Sequence, residues 1–263
     1  MRLPIYQVDA FASCLFAGNP AAVMPLQAFL PDPTLQAIAA ENNLSETAFL
    51  VRSGGGYQLR WFTPTCEVPL CGHATLASAA VVLERLEPDR SEVGFETASG
   101  VLTVKRSGSG LVMDFPAIPV RRIGIQAGTR EALGVEPLEV WRNERFTLVV
   151  LADATTVRTL KPRMSAVAGL DPHGVIVTAT GDAEFDFVSR FFAPAMGIDE
   201  DPVTGSAHCV LTPFWAERLG KKEFRAFQAS QRGGELRCSL VGDRVEIEGR
   251  SVFFLEGTVE LPE

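Results

Sequence analysis

Residues 59–86 read LRWFTPTCEVPLCGHATLASAAVVLERL, and their plan recurs at 189–219 as SRFFAPAMGIDEDPVTGSAHCVLTPFWAERL. Each copy opens on an aromatic strand that stops at proline, Arg60-Trp61-Phe62-Thr63-Pro64 and Arg190-Phe191-Phe192-Ala193-Pro194. A polar loop leads to a small-residue turn bearing an imidazole or hydroxyl, Gly72-His73-Ala74-Thr75 and Gly205-Ser206-Ala207-His208. An apolar segment of helical length follows and closes on Glu-Arg-Leu, with Glu84 as far from Gly72 as Glu217 is from Gly205. Both segments are rich in Ala, Leu and Val, so each copy reads as strand, loop, then a helix buried on most sides. A chain that holds such a unit twice is expected to be two related halves.

Working outward, Ile5 to Phe11 alternates as a strand and Phe16-Ala17-Gly18-Asn19-Pro20 turns the chain. Ala21 to Pro25 resumes a strand. Asp32 as N-cap with Pro33 at the first helical position predicts a helix that Asn42-Asn43 ends. Leu44 to Val51 reads as a strand on which period-two geometry gives Leu44, Glu46 and Ala48 one face. If that face is the inner one, the Glu46 carboxylate is poorly solvated. Gly54 to Gly56 is a hairpin turn, and Val93–Thr97, Gly100–Lys105 and Leu111–Phe115 form a meander with Ser107-Gly108-Ser109-Gly110 as its tight turn. Pro116 to Pro119 marks the boundary, giving expected halves at 1–117 and 118–263. The second half is expected to hold helices at 128–133 and 155–168, a strand at 174–180, and strand after strand from Phe224 on.

Composition narrows the function. The 263 residues are 46% hydrophobic and 21% charged, as in ordinary globular proteins, and the net charge of −8 with no Lys/Arg run argues against nucleic acid as partner. No apolar stretch approaches a membrane span and the N-terminus lacks a signal-peptide plan, so a cytoplasmic protein with a small-molecule partner is expected. The five cysteines, Cys14, Cys66, Cys71, Cys209 and Cys238, are an odd count without a C-x-x-C pair. With the three histidines outside any ligand spacing, no metal is expected, and no P-loop or dinucleotide fingerprint suggests a nucleotide cofactor.

The two glycine-led helix starts could each offer free backbone N–H groups and a partial positive charge to an anion. They could equally be positions where small residues permit close packing. Glu46, poised by burial between protonated and ionised, suits general acid/base work, or else is a rim glutamate with its head in water. His73 at a helix start could donate to an oxyanion or serve as a structural hydrogen bonder. Asp201 either caps the second helix, together with Thr204 or Ser206, or takes part in chemistry. Cys71 is an activated thiol or a buried structural one.

Taken in order along nearly the whole chain, GNPAAV, NLSETAF, FTPTCEVPLCGHAT, EDPVTGSAH and ASQRGG resemble the PhzF-like family, the phenazine-biosynthesis isomerase group. The resemblance implies an α+β fold like that of diaminopimelate epimerase. Two pseudo-symmetric halves, each a curved, mostly antiparallel, barrel-like sheet wrapped around a central helix, are expected to flank an active-site cleft. It further implies Glu46 as the general acid/base, with His73, Asp201 and Ser206 around the substrate and Gly72 and Gly205 at the helix starts. Asn19 and Arg232 are implied as substrate-positioning groups. The implied reaction is cofactor-free proton transfer on a small carboxylate-bearing substrate. A homodimer is compatible with such folds, but no sequence feature specifies one. Racemases of this fold use one cysteine at each helix start; here Cys71 matches the first, while Asp201, Pro202 and Val203 precede the second and Cys209 falls within the helix. A Cys71-assisted amino-acid or hydroxy-acid epimerase is therefore the second enzymatic reading. A non-catalytic small-anion binder on the same scaffold is the third.

Overall fold

A computed structural model describes residues 1–108, 110–182 and 184–262. The chain separates into two units, 1–114 with 248–263, and 115–247. Whereas the expected halves ran 1–117 and 118–263, the last strand returns to the first unit because it pairs along its length with the first strand of the chain.

The first unit contains β1 (Arg2–Ala10), β2 (Asn19–Leu26), α1 (Asp32–Asn42), β3 (Glu46–Ser53), β4 (Gly56–Phe62), β5 (Glu67–Val68) and α2 (Gly72–Val81). It continues with β6 (Glu92–Thr97), β7 (Gly100–Ser107) and β8 (Gly110–Pro116), whose last residues enter the second unit. The second unit holds β9 (Arg121–Ile123), α3 (Thr129–Leu133), β10 (Glu139–Arg142), β11 (Thr147–Val150), α4 (Ala154–Thr159), α5 (Met164–Val167), β12 (Val175–Thr180), β13 (Phe187–Ala193) and β14 (Ile198–Asp201). Then come α6 (Gly205–Leu219), β15 (Glu223–Gln228), β16 (Gly234–Val241) and β17 (Arg244–Gly249), whose last two residues enter the first unit, to which β18 (Ser251–Glu260) belongs.

Strand pairing repeats between the units. In the first, β1 to β2 is antiparallel, β2 to β3 parallel, β3 to β4 antiparallel, β4 to β6 parallel and β6 to β7 antiparallel. In the second, β10, β11, β12, β13, β15 and β16 follow the same alternation. The short β5 and β14 pair with β4 and β13, each just ahead of a central helix. The long connection through α2 is what lets β4 and β6, neighbours in one sheet, pair in parallel. This is the α+β architecture that the family resemblance implied, with the duplicated strand, loop and helix present in each unit.

Both central helices are apolar nearly all round, as buried helices must be. Every residue from His73 to Val81 is buried, and α2 runs on into a π-turn at Val82–Leu86. Burying a Leu or Val side chain fully contributes about 1.5–3 kcal/mol, and α2 buries Leu76 and Val81 completely. In α6, Pro213 has no N–H to offer the carbonyl four residues back. That carbonyl, Cys209 O, instead accepts from Ile118 N–H at 2.9 Å, so the proline leaves no orphan acceptor there.

Several local expectations shift. Pro31 occupies the cap of α1 with Asp32 as its first residue, and Asn43 ends it in the left-handed region at φ 48°. Strand β2 already includes Asn19, and β3 begins at Glu46 rather than Leu44. The helix expected over 155–168 is two short helices, because Pro162 interrupts the chain between them. Of the expected turn Ser107 to Gly110, Ser109 lies outside the described residues. Among the described residues no helix is long and apolar enough to cross a membrane.

Candidate active site

In each unit an arginine ties the loop ahead of the central helix to the strand behind it. Arg60 forks onto Glu67 with Nε–Oε1 and Nη2–Oε2 both 2.7 Å, and Arg190 forks onto Glu200 at 2.7 and 2.9 Å. Each guanidinium also lies over the phenylalanine two residues on, Phe62 and Phe192, at 5.1 and 4.9 Å. The bidentate geometry makes these directional anchors. A serine completes each loop: Ser99 Oγ donates to Pro69 O and Ser230 Oγ to Pro202 O, both at 2.8 Å.

In the first unit these anchors lead to a buried cluster at the start of α2. Parallel pairing of β2 with β3 sets Ala21 beside Glu46, so Asn19 and Glu46 enter from neighbouring strands. Gly18, at φ 66°, must be glycine for that approach, since a Cβ would sit 2.1 Å from the Ala10 carbonyl oxygen. Cys71 is the N-cap position in extended conformation, and Gly72 and His73 open the helix. His73 Nε2 lies 2.9 Å from Glu46 Oε2; Nδ1 lies 3.1 Å from Asn19 Nδ2 and 3.5 Å from Cys71 Sγ. Relative exposures are 0% for Asn19, 8% for Glu46, 5% for His73 and 7% for Cys71. The expected buried carboxylate, imidazole and thiol are therefore neighbours, and the rim position considered for Glu46 does not hold.

Although Nε2 and Oε2 are at ion-pair distance, they are not aligned as a hydrogen bond, and neither has another hydrogen-bond partner among the described residues. The contact is electrostatic. Burial by itself pushes the His73 imidazole down, yet the Cys71 sulfur and the Glu46 carboxylate beside it hold it well above its ordinary value. Burial, reinforced by the Glu46 charge, pushes the Cys71 thiol up to about 11. Burial thus makes the Cys71 thiol a poor source of thiolate at neutral pH, while both Cys71 and Glu46 favour the charged form of the ring. Asn19 can serve both states of the ring, since its Nδ2 donates to neutral Nδ1 and the same amide turned over accepts from Nδ1–H.

In the second unit Asp201 ends β14, and Thr204, in the place that Cys71 holds in the first unit, is the N-cap position of α6. Thr204 Oγ1 donates to Asp201 Oδ2. Gln228, fully buried at the end of β15, holds this loop: its Oε1 accepts from Thr204 N at 2.9 Å, and its Nε2 donates to Asp201 O at 2.7 Å and Thr204 Oγ1 at 3.1 Å. Gly205 is buried, and Ser206 and Arg232 are half-buried. His208 donates from Nδ1 to Thr204 O at 2.8 Å, and burial pushes it down to about 4, so it is a neutral, structural imidazole. Cys209 lies in the second turn of α6 with its thiol on Gly205 O, and burial pushes it up to about 12.

Sequence reasoning missed Gln228, Thr204 as an anchor of Asp201, and the serine pair. The available signal was ETASG at 96–100 against FQASQRGG at 227–234; three extra residues in the second copy hide the match. Glu46, Cys71 and His73 also offer ligand atoms within 4.8 Å of one another, a set that no linear spacing announced.

A family model described as phenazine biosynthesis-like protein matches residues 8–257. A Pseudomonas aeruginosa protein named an uncharacterized isomerase is 51% identical over 261 residues, spanning 99% of this chain and 100% of its own. The crystal structure of a PhzF-family phenazine biosynthesis protein from Enterococcus faecalis superposes with a TM-score of 0.96 at 46% identity, covering 99% and 100% of the two chains. A hydroxyproline epimerase from Agrobacterium vitis, at 12% identity and a TM-score of 0.64 over 98% of this chain and 92% of its own, shares the fold.

Proposed function

The chain belongs to the phenazine biosynthesis-like family of isomerase- and epimerase-like proteins, and from that premise we propose that it moves a proton on a small carboxylate-bearing substrate, with Glu46 as acid and base. The observation that carries the reading is the buried contact of 2.9 Å between Glu46 Oε2 and His73 Nε2. A buried carboxylate oxygen such as Oε2, without an aligned hydrogen bond among the described residues, can accept a carbon-bound proton, and the adjacent imidazole stabilises its charge between turnovers. In the proposed step Glu46 takes a proton from carbon next to the substrate's carboxylate or conjugated system. It returns the proton to another carbon, so that a double bond shifts, or to the opposite face, so that a centre inverts. Base and acid alone balance this reaction, so a cofactor is not required. Gly72, Gly205, Ser206, Asn19 and Arg232 are proposed to position the substrate, and Asp201, anchored by Thr204 and Gln228, to assist the acid–base chemistry.

The epimerase reading that relies on Cys71 is less well supported. A thiol raised to about 11 is a poor base at neutral pH, and the corresponding position of the second unit is Thr204. The binding-only reading gives no reason for a charged pair in a buried site, where a carboxylate is costly unless paired.

The test is a screen of small cyclic and amino carboxylates in deuterated water, read by exchange at carbon. Glu46→Gln is expected to reduce exchange by about 10²–10⁴-fold while substrate binding persists. Wild-type exchange rates in that variant would overturn the assignment.

A further inference from the structure

We infer that Asn19 is a positioning residue for the proposed proton transfer: it holds His73 so that Nε2, the ring nitrogen beside Glu46, carries a proton in both charge states of the ring. The two edges of the imidazole meet different partners. Asn19 Nδ2 lies 3.1 Å from Nδ1, and Glu46 Oε2 lies 2.9 Å from Nε2. An amide N–H donates and an ionised carboxylate oxygen accepts. In the neutral ring both contacts therefore select one tautomer, with Nδ1 bare toward Asn19 and the proton on Nε2 toward Glu46, because the bond made by one ring nitrogen decides which of the two is protonated. The opposite tautomer would set the Nε2 lone pair against the carboxylate. In the charged ring the same amide, turned over, accepts from Nδ1–H, and Nε2–H stays in place. The Cys71 sulfur, 3.5 Å from Nδ1, is a weak donor and a weak acceptor, so the amide decides that edge.

The backbone fixes the amide from both sides. Asn19 is fully buried and opens β2, where Ala10 of β1 pairs with it and, two residues on, Ala21 pairs with Glu46 of β3. The second unit holds the contrasting case: His208 donates from Nδ1 to Thr204 O, so its ring proton sits on the other nitrogen. The effect of Asn19 on rate rests on the Glu46 reading, since an N–H kept beside the carboxylate balances its charge each time it is regenerated. The tautomer of His73 does not rest on it. This role through the ring is additional to any contact that Asn19 makes with substrate.

Nitrogen NMR of the histidine rings in the substrate-free full chain tests this, with His73→Gln and His208→Gln identifying the two buried rings. Above the pH at which His73 titrates, its Nδ1 should resonate as a bare nitrogen and its Nε2 as a protonated one, the reverse of His208. Asn19→Leu, of nearly the same size and without a donor, should make the Nδ1–H form of His73 appear. With the carboxylate that the exchange screen selects, the same variant should lower kcat at least about tenfold and change KM by less than about threefold. Circular dichroism identifies variants that fold, Asn19→Ala is the alternative if Asn19→Leu does not, and the wild-type spectrum decides the tautomer without either. A wild-type ring proton on Nδ1 would overturn the inference, as would a folded Asn19 variant that keeps the wild-type tautomer. A rise in KM at unchanged kcat would also overturn it and leave Asn19 to substrate positioning alone. Exchange by Glu46→Gln at the wild-type rate would sink the Glu46 reading and not the tautomer, so the two failures are told apart.

Discussion

Replacing Gln228 by methionine keeps the volume of a fully buried side chain and removes both ends of its clamp. Thr204 N–H loses its acceptor at 2.9 Å and Asp201 O its donor at 2.7 Å. A buried backbone group left without a partner costs about 1–3 kcal/mol. Thr204 is 8% exposed and takes that full range, whereas Asp201 is half-buried and regains part of its solvation, at about 1 kcal/mol. The sum is a destabilisation of about 2–4 kcal/mol, measured as a lower urea midpoint at unchanged m-value. Trp141 and Trp215 report the second unit by fluorescence. Ser99→Ala in the first unit, where the donor is exposed, should cost no more than about 0.5 kcal/mol. A loss below about 1 kcal/mol for Gln228→Met would show that the clamp does not hold the start of α6, and would remove the argument that Asp201 is anchored through it.

Further outcomes follow from the titrating groups. The His73 ring, followed by NMR, should titrate well above 6.5 and move down in Glu46→Gln; an unchanged value would refute Glu46 as the stabilising charge. Because the folded value is raised, the stability that His73 contributes is full below 6.5 and lost as pH rises through the folded value, so wild type and His73→Gln should converge at alkaline pH. His208 has the opposite sign: depressed to about 4, it keeps its contribution above 6.5 and loses about 3 kcal/mol as pH falls from 6.5 to about 4, an acid limb that should flatten in His208→Gln and whose persistence would refute the assignment. Iodoacetamide at neutral pH should label the exposed Cys14 and Cys66 and spare Cys71, and prompt labelling of Cys71 would show that its thiol is not raised to about 11.

The repeated strand, loop and glycine-led helix were legible because their periodicity and spacing are local, and they carried the architecture with them. The break at Pro162 was legible in principle, since a proline removes a helix hydrogen bond and disfavours the helical conformation of the residue before it, and nothing local compensates within 155–168. The return of β18 to β1 was not, because edge pairing between the two ends of a chain leaves no local pattern. At the site, the residue types were visible and their contacts were not. Asn19, Glu46 and His73 come from three elements, and only the parallel β2–β3 pairing and the burial of α2 bring them within 3.1 Å of a partner. The Arg60–Glu67 and Arg190–Glu200 forks escaped notice because their loops differ in length, so the glutamates fall at unequal offsets from the arginines.

The buried Glu46 carboxylate is the centre of this account, and deuterium uptake at substrate carbon is its most direct test. With the carboxylate that the screen selects, wild type should incorporate solvent deuterium during turnover, Cys71→Ala should do so at a similar rate, and Glu46→Gln should bind the substrate without incorporation. Incorporation by Glu46→Gln at the wild-type rate, or its loss only in Cys71→Ala, would contradict the account.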